Sequence, residues 1–427
     1  MDAGGRRLFR ARPRQRGELS VVVSLSEAKL LDDIRRRFFS PQDSRAPHTI
    51  GVELELIPVL ASTRLPALPG SKGAQSTATV LSRLAAREGW LEQSVENDPP
   101  SWTLADGAHI SFEPGGQIEI SSAPDATGSG AVRATQSLVA AIRDAMQPAG
   151  IQLITSGVDP RNGIEAVPLQ LHRDRYARMT RFFDAIGPSG VRMMRQTAAV
   201  QINVERGPAP AARWGLLNSL APYIVALFAN SREYAGKRSE YASYRAHLWR
   251  TLDPSRTGLP WESTDPAVRY LAFALDAKAM RSSDGTRPWL SFRDWMRAEP
   301  VSEDDWQFHL STLFPEVRPK EFFEIRSADA IDSDQLAAPV VFVTGIVYDD
   351  ESASSANQLM ALPSEELLER AGRAGLADPE IHRVVSGLSE LALSGAKRLG
   401  REYLADADVA VAREYFAKAL GQPSGLG

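Results

Sequence analysis

The sequence predicts an α+β fold: an antiparallel β-sheet with helices packed outside it and a helical C-terminal segment. Two observations predict it. Well-separated segments alternate apolar and polar residues, as strands with one covered face do, and helix-type stretches lie between and after them. A third observation marks a connection, because Pro114-Gly115-Gly116 sits between two β-type segments, Ile110/Phe112 and Ile118/Ile120. Proline fixes φ and glycine allows backbone angles other residues resist. A strand bent or bulged there would aim Glu113 and Glu119 into one space.

Length and composition set the frame. A chain of 427 residues, 43% hydrophobic and 24% charged, has the make-up of a globular protein with a large core. A formal net charge of −4 offers no general basic field for nucleic acid. Cysteine is absent, which excludes disulfides, thiolate catalysis and Cys-based zinc sites and agrees with a reducing cytoplasm. No apolar run reaches the roughly 18 residues a membrane span needs. Leu216–Ala229 and Ala337–Tyr348 are the longest candidates, and Pro222 interrupts the first.

Residues 1–23, rich in arginine, read as a disordered basic tail. Residues 24–348 read as the main domain and 349–427 as a helical segment packed on it. Ser24-Leu25-Ser26-Glu27 fits a capping box opening a helix to about Phe39. In Ile50–Leu56, Val52, Leu54 and Leu56 share one face and Glu53 and Glu55 the other. Residues 61–79 are loop-like, and a short helix covers about 77–89. Gly128-Ser129-Gly130 lacks a third glycine and a Lys-Ser/Thr pair, so it reads as a helix start, the helix running to about Met146. Ile151–Thr155 is a strand and Arg173–Ile186 a helix ending at Gly187-Pro188. In Gln196–Val204, Ala198, Val200, Ile202 and Val204 face the core, while Thr197, Gln201 and Asn203 share the other side. Helices fill about 211–229 and 265–281, separated by a loop over Asn230–Pro260. Phe322–Ser327 is a strand with Glu324 and Arg326 on one face, and helices follow beyond Ala330.

The polar faces together offer Glu53, Glu55, Glu113, Glu119, Thr197, Gln201, Asn203, Glu324 and Arg326. A sheet with its outer face in water is the plain alternative, but such a face mixes lysine with glutamate and these strands carry no lysine. Residues i and i+2 on a strand lie about 7 Å apart. Two carboxylates at that distance repel by roughly 2 kcal/mol at an effective dielectric near 20. Gathering several is unfavourable unless cations join them. Hard oxygen ligands, without cysteine or clustered histidine, suit Mg²⁺ or Mn²⁺. Magnesium on such a face commonly serves phosphates, and Arg326 beside Glu324 would steady a transferring phosphoryl group.

Five segments resemble the plant-type glutamate–cysteine ligase family, among the glutamine-synthetase-like carboxylate–amine ligases. They are Gly51–Glu55, Glu113–Ser121, Met193–Asn203, Ser243-Tyr244-Arg245 with Trp249, Asp253, Arg256, Thr257 and Gly258, and His309–Pro315 leading into Phe323–Arg326. The details are most similar to bacterial members serving ergothioneine or glutathione biosynthesis. The resemblance implies a strongly curved antiparallel sheet, a half-barrel funnel. It implies that ATP phosphorylates the γ-carboxylate of L-glutamate and that the amine of L-cysteine then attacks, giving γ-glutamylcysteine, ADP and phosphate. By motif position, Glu53, Glu55, Glu113, Glu119 and Glu324 would ligate magnesium around the ATP phosphates, and Arg326 would meet the phosphoryl group. Thr197, Arg245 and Trp249 would hold glutamate, with Gln201 and Asn203 nearby. The same metal glutamates would serve a ligase using another acceptor amine, and a non-catalytic relative is the third alternative.

Overall fold

The computed structural model describes residues 25–42, 48–71, 73–261, 264–280 and 289–421. The expected basic tail and Ser24 lie outside them. Eleven strands occur among the described residues: β1 (Ile50–Leu60), β2 (Leu91–Val95), β3 (Asp98–Thr103), β4 (His109–Phe112), β5 (Ile118–Ser121), β6 (Ile151–Ile154), β7 (Ala199–Val204), β8 (Glu233–Tyr234), β9 (Lys237–Arg238), β10 (Val317–Pro319) and β11 (Phe323–Asp329). Nine form one antiparallel sheet in the order β10-β11-β7-β1-β5-β4-β3-β2, with β6 also paired to β1. The sheet does not close, since β10 and β2 are its ends. The fold is therefore the expected α+β class with an open antiparallel sheet.

The apolar faces read from sequence are the ones that pack into the core, and the polar faces of β1, β7 and β11 are largely buried too. Leu54, Leu56, Ile118, Ile120, Val200, Ile202 and Ile325 belong to the main core. That core also holds the helices Gly128–Met146, Pro210–Leu227 and Ala337–Val347. All of Ala337–Val347 is buried, as an apolar-all-round helix must be. Gly345 and Gly395 let it meet the helix Pro379–Leu399 closely, because a Cβ on Gly395 would lie 1.8 Å from the Gly345 oxygen. No helix among the described residues is long and apolar enough to cross a membrane. A second, smaller core contains Met179, Phe182, Phe183, Met193, Trp249 and Phe314.

Several expectations change. Within the stretch read as a capping box, Ser26 caps the first helix (Glu27–Phe38), its hydroxyl accepting from the Lys29 amide. The stretch expected as a loop over Asn230–Pro260 contains the β8–β9 hairpin and the helices Tyr244–Leu252 and Pro254–Thr257. Short strands β2, β3 and β10 and the helices Pro188–Gln196, Phe292–Ala298 and Glu303–Ser311 carry too few periodic residues to be read from sequence.

The Pro-Gly-Gly break is a hairpin turn joining β4 to β5 rather than a bend within one strand. The Glu113 amide donates to Gln117 O at 2.8 Å and the Gly116 amide to Glu113 O at 2.8 Å. Both glycines are needed. Gly116 has φ of +92°, and a Cβ on Gly115 would lie 1.9 Å from the Arg195 carbonyl oxygen.

Candidate active site

The site grows from the sheet register. On β1, Glu53 and Glu55 point to one face, and Glu119 of β5 lies opposite Glu55. The hairpin turn adds Glu113. One carboxylate oxygen each from Glu55, Glu113 and Glu119 lie within 4.8 Å of one another. Glu55 is buried, accepting from the Ala199 amide at 2.9 Å and from Gln201 Nε2 at 3.0 Å. Glu119 accepts from Ser111 Oγ at 3.3 Å and from Ser121 Oγ at 3.4 Å, with Glu113 beside it.

Among the described residues no arginine or lysine forms an ion pair with any of these three; Arg245 pairs with Asp329, and Arg318, Lys320 and Arg326 with Glu324. Burial, then the charge of Glu119, pushes Glu55 up to about 7. Burial and Glu55 push Glu113 up to about 7. Burial and Glu113 hold Glu119 well above the usual carboxylate range. A buried carboxylate group of this kind requires protons or a cation. Three converging oxygen donors, without sulfur or imidazole, fit a hard divalent ion.

At the β10–β11 end the balance is reversed. Glu324, fully buried, accepts from Arg318 Nε at 2.6 Å and Nη2 at 2.9 Å, from Arg326 Nη1 at 2.7 Å, and from Lys320. Burial works to raise its pKa, but Arg318, Arg326 and Lys320 prevail and hold it well below the usual range. Gln201 links the two ends, donating to Glu55 while its oxygen accepts from Arg326 Nη1 at 2.6 Å.

The opposite wall is helical. Ser243 caps the helix Tyr244–Leu252, accepting from the Ala246 amide, and Arg245 and Trp249 lie one turn apart on it. The Arg245 guanidinium sits 4.6 Å over the Trp249 ring, and its Nη2 donates to Arg326 O at 2.7 Å. Trp249 Nε1 donates to Phe314 O. Thr197 Oγ1 donates to Met193 O at 2.6 Å.

These walls enclose a cavity of about 310 Å³. Glu53, Glu55, Glu113, Glu119, Thr197, Gln201, Arg245, Trp249 and Arg326, all expected from sequence, line it together. Glu324 and Asn203 do not. Glu324 is engaged by the three cations, so the five-glutamate set divides into the triad, Glu53 held by Asn203, and the cation-held Glu324. Asn203 donates to Glu53 Oε1 at 2.8 Å from a neighbouring cavity of about 740 Å³, which shares Glu53 and Ser121 with the first.

Sequence reasoning missed Gln117, Arg175, Tyr176, Arg318 and Lys320, and the thioether wall of Met179, Met193 and Met194. Gln117 was on the expected polar face, and it donates to Thr197 O at 2.7 Å, tying the hairpin turn to β7. Arg318 and Lys320 belong to a three-residue strand and the turn after it, where no alternation can be read. Nε of Arg175, Arg245 and Arg326 is buried with no hydrogen-bond partner. The cavity therefore carries arginines suited to anions on one wall, Arg175, Arg245 and Arg326, and the carboxylate group on the other.

Fold and site define an open antiparallel sheet whose polar face gathers carboxylates and arginines in one cavity, a site for an anionic substrate and a hard divalent ion. Residues 49–407 match the family described as Glutamate-cysteine ligase family 2, GCS2. Glutamate–cysteine ligase EgtA of Mycolicibacterium smegmatis is 34% identical, over 71% of this chain and 74% of that protein. The chloroplastic glutamate–cysteine ligase of Nicotiana tabacum is 30% identical, over 91% of this chain and 79% of that one. The chain belongs to glutamate–cysteine ligase family 2. Its fold is shared with a glutamate–cysteine ligase of Francisella tularensis solved in complex with AMP, at a TM-score of 0.52 and 12% identity, covering 88% of this chain and 83% of that one.

Proposed function

We propose that this enzyme joins the γ-carboxylate of L-glutamate to the amine of L-cysteine, consuming ATP and releasing ADP and phosphate. The observation that carries this reading is one cavity lined both by the Glu55–Glu113–Glu119 group and by Arg175, Arg245 and Arg326. Family membership supports the choice of substrates.

In the first step a γ-carboxylate oxygen of glutamate attacks the γ-phosphorus of ATP, and ADP leaves. The product is γ-glutamyl phosphate. In the second, the neutral amine of cysteine attacks the acyl carbon, phosphate departs, and the nitrogen loses a proton. Arg245, stacked on Trp249, and Thr197 hold the glutamate. Arg326 meets the transferring phosphoryl group, and Gln201 fixes its orientation from the other side. Arg318 and Lys320 stand where phosphate charge needs partners, with Glu324 as their counter-ion when no phosphate is bound.

Glu55, Glu113 and Glu119 would hold Mg²⁺ or Mn²⁺, whose chemistry there is neutralising phosphate charge. Glu53 lies between this group and the larger cavity, so the nucleoside of ATP extends from the phosphates toward Asn203 and Arg206. A reducing compartment such as the cytoplasm suits the reaction because it keeps the cysteine substrate a free thiol.

The test is phosphate release by the purified protein with ATP, Mg²⁺, glutamate and a panel of amines, with products identified by mass. Release that depends on both glutamate and cysteine is expected. Release with a different amine and none with cysteine would reassign the acceptor, and no glutamate-dependent release with any amine would reject the reaction.

A further inference from the structure

We propose that Asp329 is a positioning residue for the reaction, a buried anion that fixes the N-terminus of the helix Tyr244–Leu252 and thereby sets Arg245 against the cavity. This rests on the reading of Arg245 as the group that holds glutamate.

Asp329 is the last residue of β11, the strand that carries Arg326 to the cavity, and it is 1% exposed. The pairing of β11 with β7 shifts register between Ile325 and Ala328. Past that shift the strand delivers a carboxylate to the start of the helix. Its oxygens accept from Ser231 Oγ at 2.7 Å, the Asn230 amide at 2.8 Å and Ser243 Oγ at 2.9 Å, and Arg245 Nη1 stands 3.9 Å away.

Two of these contacts lead directly into the first helical turn. Ser243 Oγ accepts from the Ala246 amide at 3.0 Å, and Ser231 Oγ accepts from the Arg245 amide at 3.2 Å. Negative charge at a helix N-terminus also opposes the positive end of the helix dipole. Its three hydrogen bonds all come from donors, two hydroxyls and a backbone amide. An asparagine there would turn one N–H against other donors and leave the buried guanidinium without its counter-charge.

The surrounding chain makes room for this group and no more. A Cβ on Gly157 would lie 2.3 Å from the Asp329 carboxyl carbon, and the Gly157 amide donates to Asn230 O at 3.0 Å. The far end of the helix is held in the same manner. Glu316, buried, accepts from Arg250 Nη2 at 2.9 Å and from Ser327 Oγ at 2.8 Å. With both ends fixed to β11 and the segment before it, the helix holds Arg245 in the wall of the cavity.

The experiment compares Asp329→Asn, Ser231→Ala, Arg245→Ala and the Asp329→Asn/Arg245→Ala double variant, with KM and kcat measured separately for each substrate and thermal melting recorded for each protein. Asp329→Asn is expected to raise the KM for glutamate roughly tenfold or more, leaving the KM values for ATP and cysteine within about twofold. Ser231→Ala, which keeps the charge and folds with a smaller disturbance, is expected to raise the glutamate KM by about threefold. In the Arg245→Ala background Asp329→Asn should add nothing, because its effect passes through that arginine.

A folded Asp329→Asn with an unchanged glutamate KM overturns the proposal. So does an equal rise for all three substrates, or the same added loss when Arg245 is already alanine. If Asp329→Asn does not fold, an unchanged glutamate KM in Ser231→Ala overturns it alone. Absence of glutamate- and cysteine-dependent turnover in the unmodified enzyme would instead reject the reaction itself.

Discussion

Gln201 lies opposite Glu53 in the β1–β7 register, yet its Nε2 reaches diagonally to Glu55 Oε1 at 3.0 Å. Its Oε1 accepts from Arg326 at 2.6 Å. One amide therefore orients both a candidate metal ligand and the candidate phosphoryl-binding arginine. Gln201→Leu frees both. The expected outcome is a loss of divalent-ion affinity of about 10- to 100-fold, the range for partners that orient a ligand. It is read by titrating Mn²⁺ and following the free ion by electron paramagnetic resonance. Wild-type affinity in this variant would remove Gln201 from the site's support.

The carboxylate group makes a prediction about pH. Glu55 and Glu113 have pKa values raised from 4.5 to about 7, so between these pH values the folded protein binds more protons than the unfolded chain. Stability from this source is present below about 4.5 and is lost as pH rises through about 7. Glu324 acts oppositely. Its lowered pKa contributes stability above the unfolded value, lost only as pH falls through the folded one. The metal-free protein should thus melt at lower temperature as pH rises through 7, and saturating Mg²⁺ should restore it, since the ion binds the deprotonated form. Glu55→Gln/Glu113→Gln should make the metal-free curve shallower, with the raised Glu119 keeping part of the slope, and abolish the Mg²⁺ response. A wild-type curve without a downward slope across this interval would contradict the assigned environment.

The hairpin turn is expected to tolerate no side chain at Gly115, where a Cβ would meet the Arg195 carbonyl oxygen at 1.9 Å. Both partners are backbone, so relief requires moving the turn away from residues 195–197. Gly115→Ala should cost about 1–3 kcal/mol in urea unfolding, the usual range for overpacking. It should also weaken Mn²⁺ binding, because Glu113 moves with the turn. Full Mn²⁺ affinity in this variant would show that Glu113 is not held by the turn.

Lys320 tests the phosphate end. It pairs with Glu324 but is exposed enough to turn toward a bound phosphate. Lys320→Met should raise the KM for ATP by about tenfold with the glutamate KM unchanged. Equal effects on both, measured by initial rates, would place Lys320 outside the nucleotide site.

The strands that carry the site were legible because each has one apolar and one polar face. Val52/Leu54/Leu56 against Glu53/Glu55, and Val200/Ile202 against Gln201/Asn203, fix which side chains point the same way. Arg175 and Tyr176 were not legible as site residues. They lie on the helix Asp174–Ile186, where periodicity separates core from surface but does not say which exposed turn will cover a sheet. Arg318 and Lys320 escaped for a related reason, since a three-residue strand shows no period.

The sequence by itself determined the α+β class, the polar face of β1, β5, β7 and β11, and the membership of nearly every expected residue in one cavity. Local alternation is a property of adjacent residues, so it survives without knowledge of partners. Only the tertiary structure decided how charge is divided on that face. Glu324 was expected among the metal ligands, but three cations converge on it, two of them from the β10 hairpin arm, while Glu55, Glu113 and Glu119 remain unneutralised. The tertiary structure likewise decided that Asp329, unremarkable in the sequence, faces the start of the helix bearing Arg245. Which charges meet depends on strand order and register, and Coulomb interaction in a buried site depends on that proximity rather than on separation along the chain.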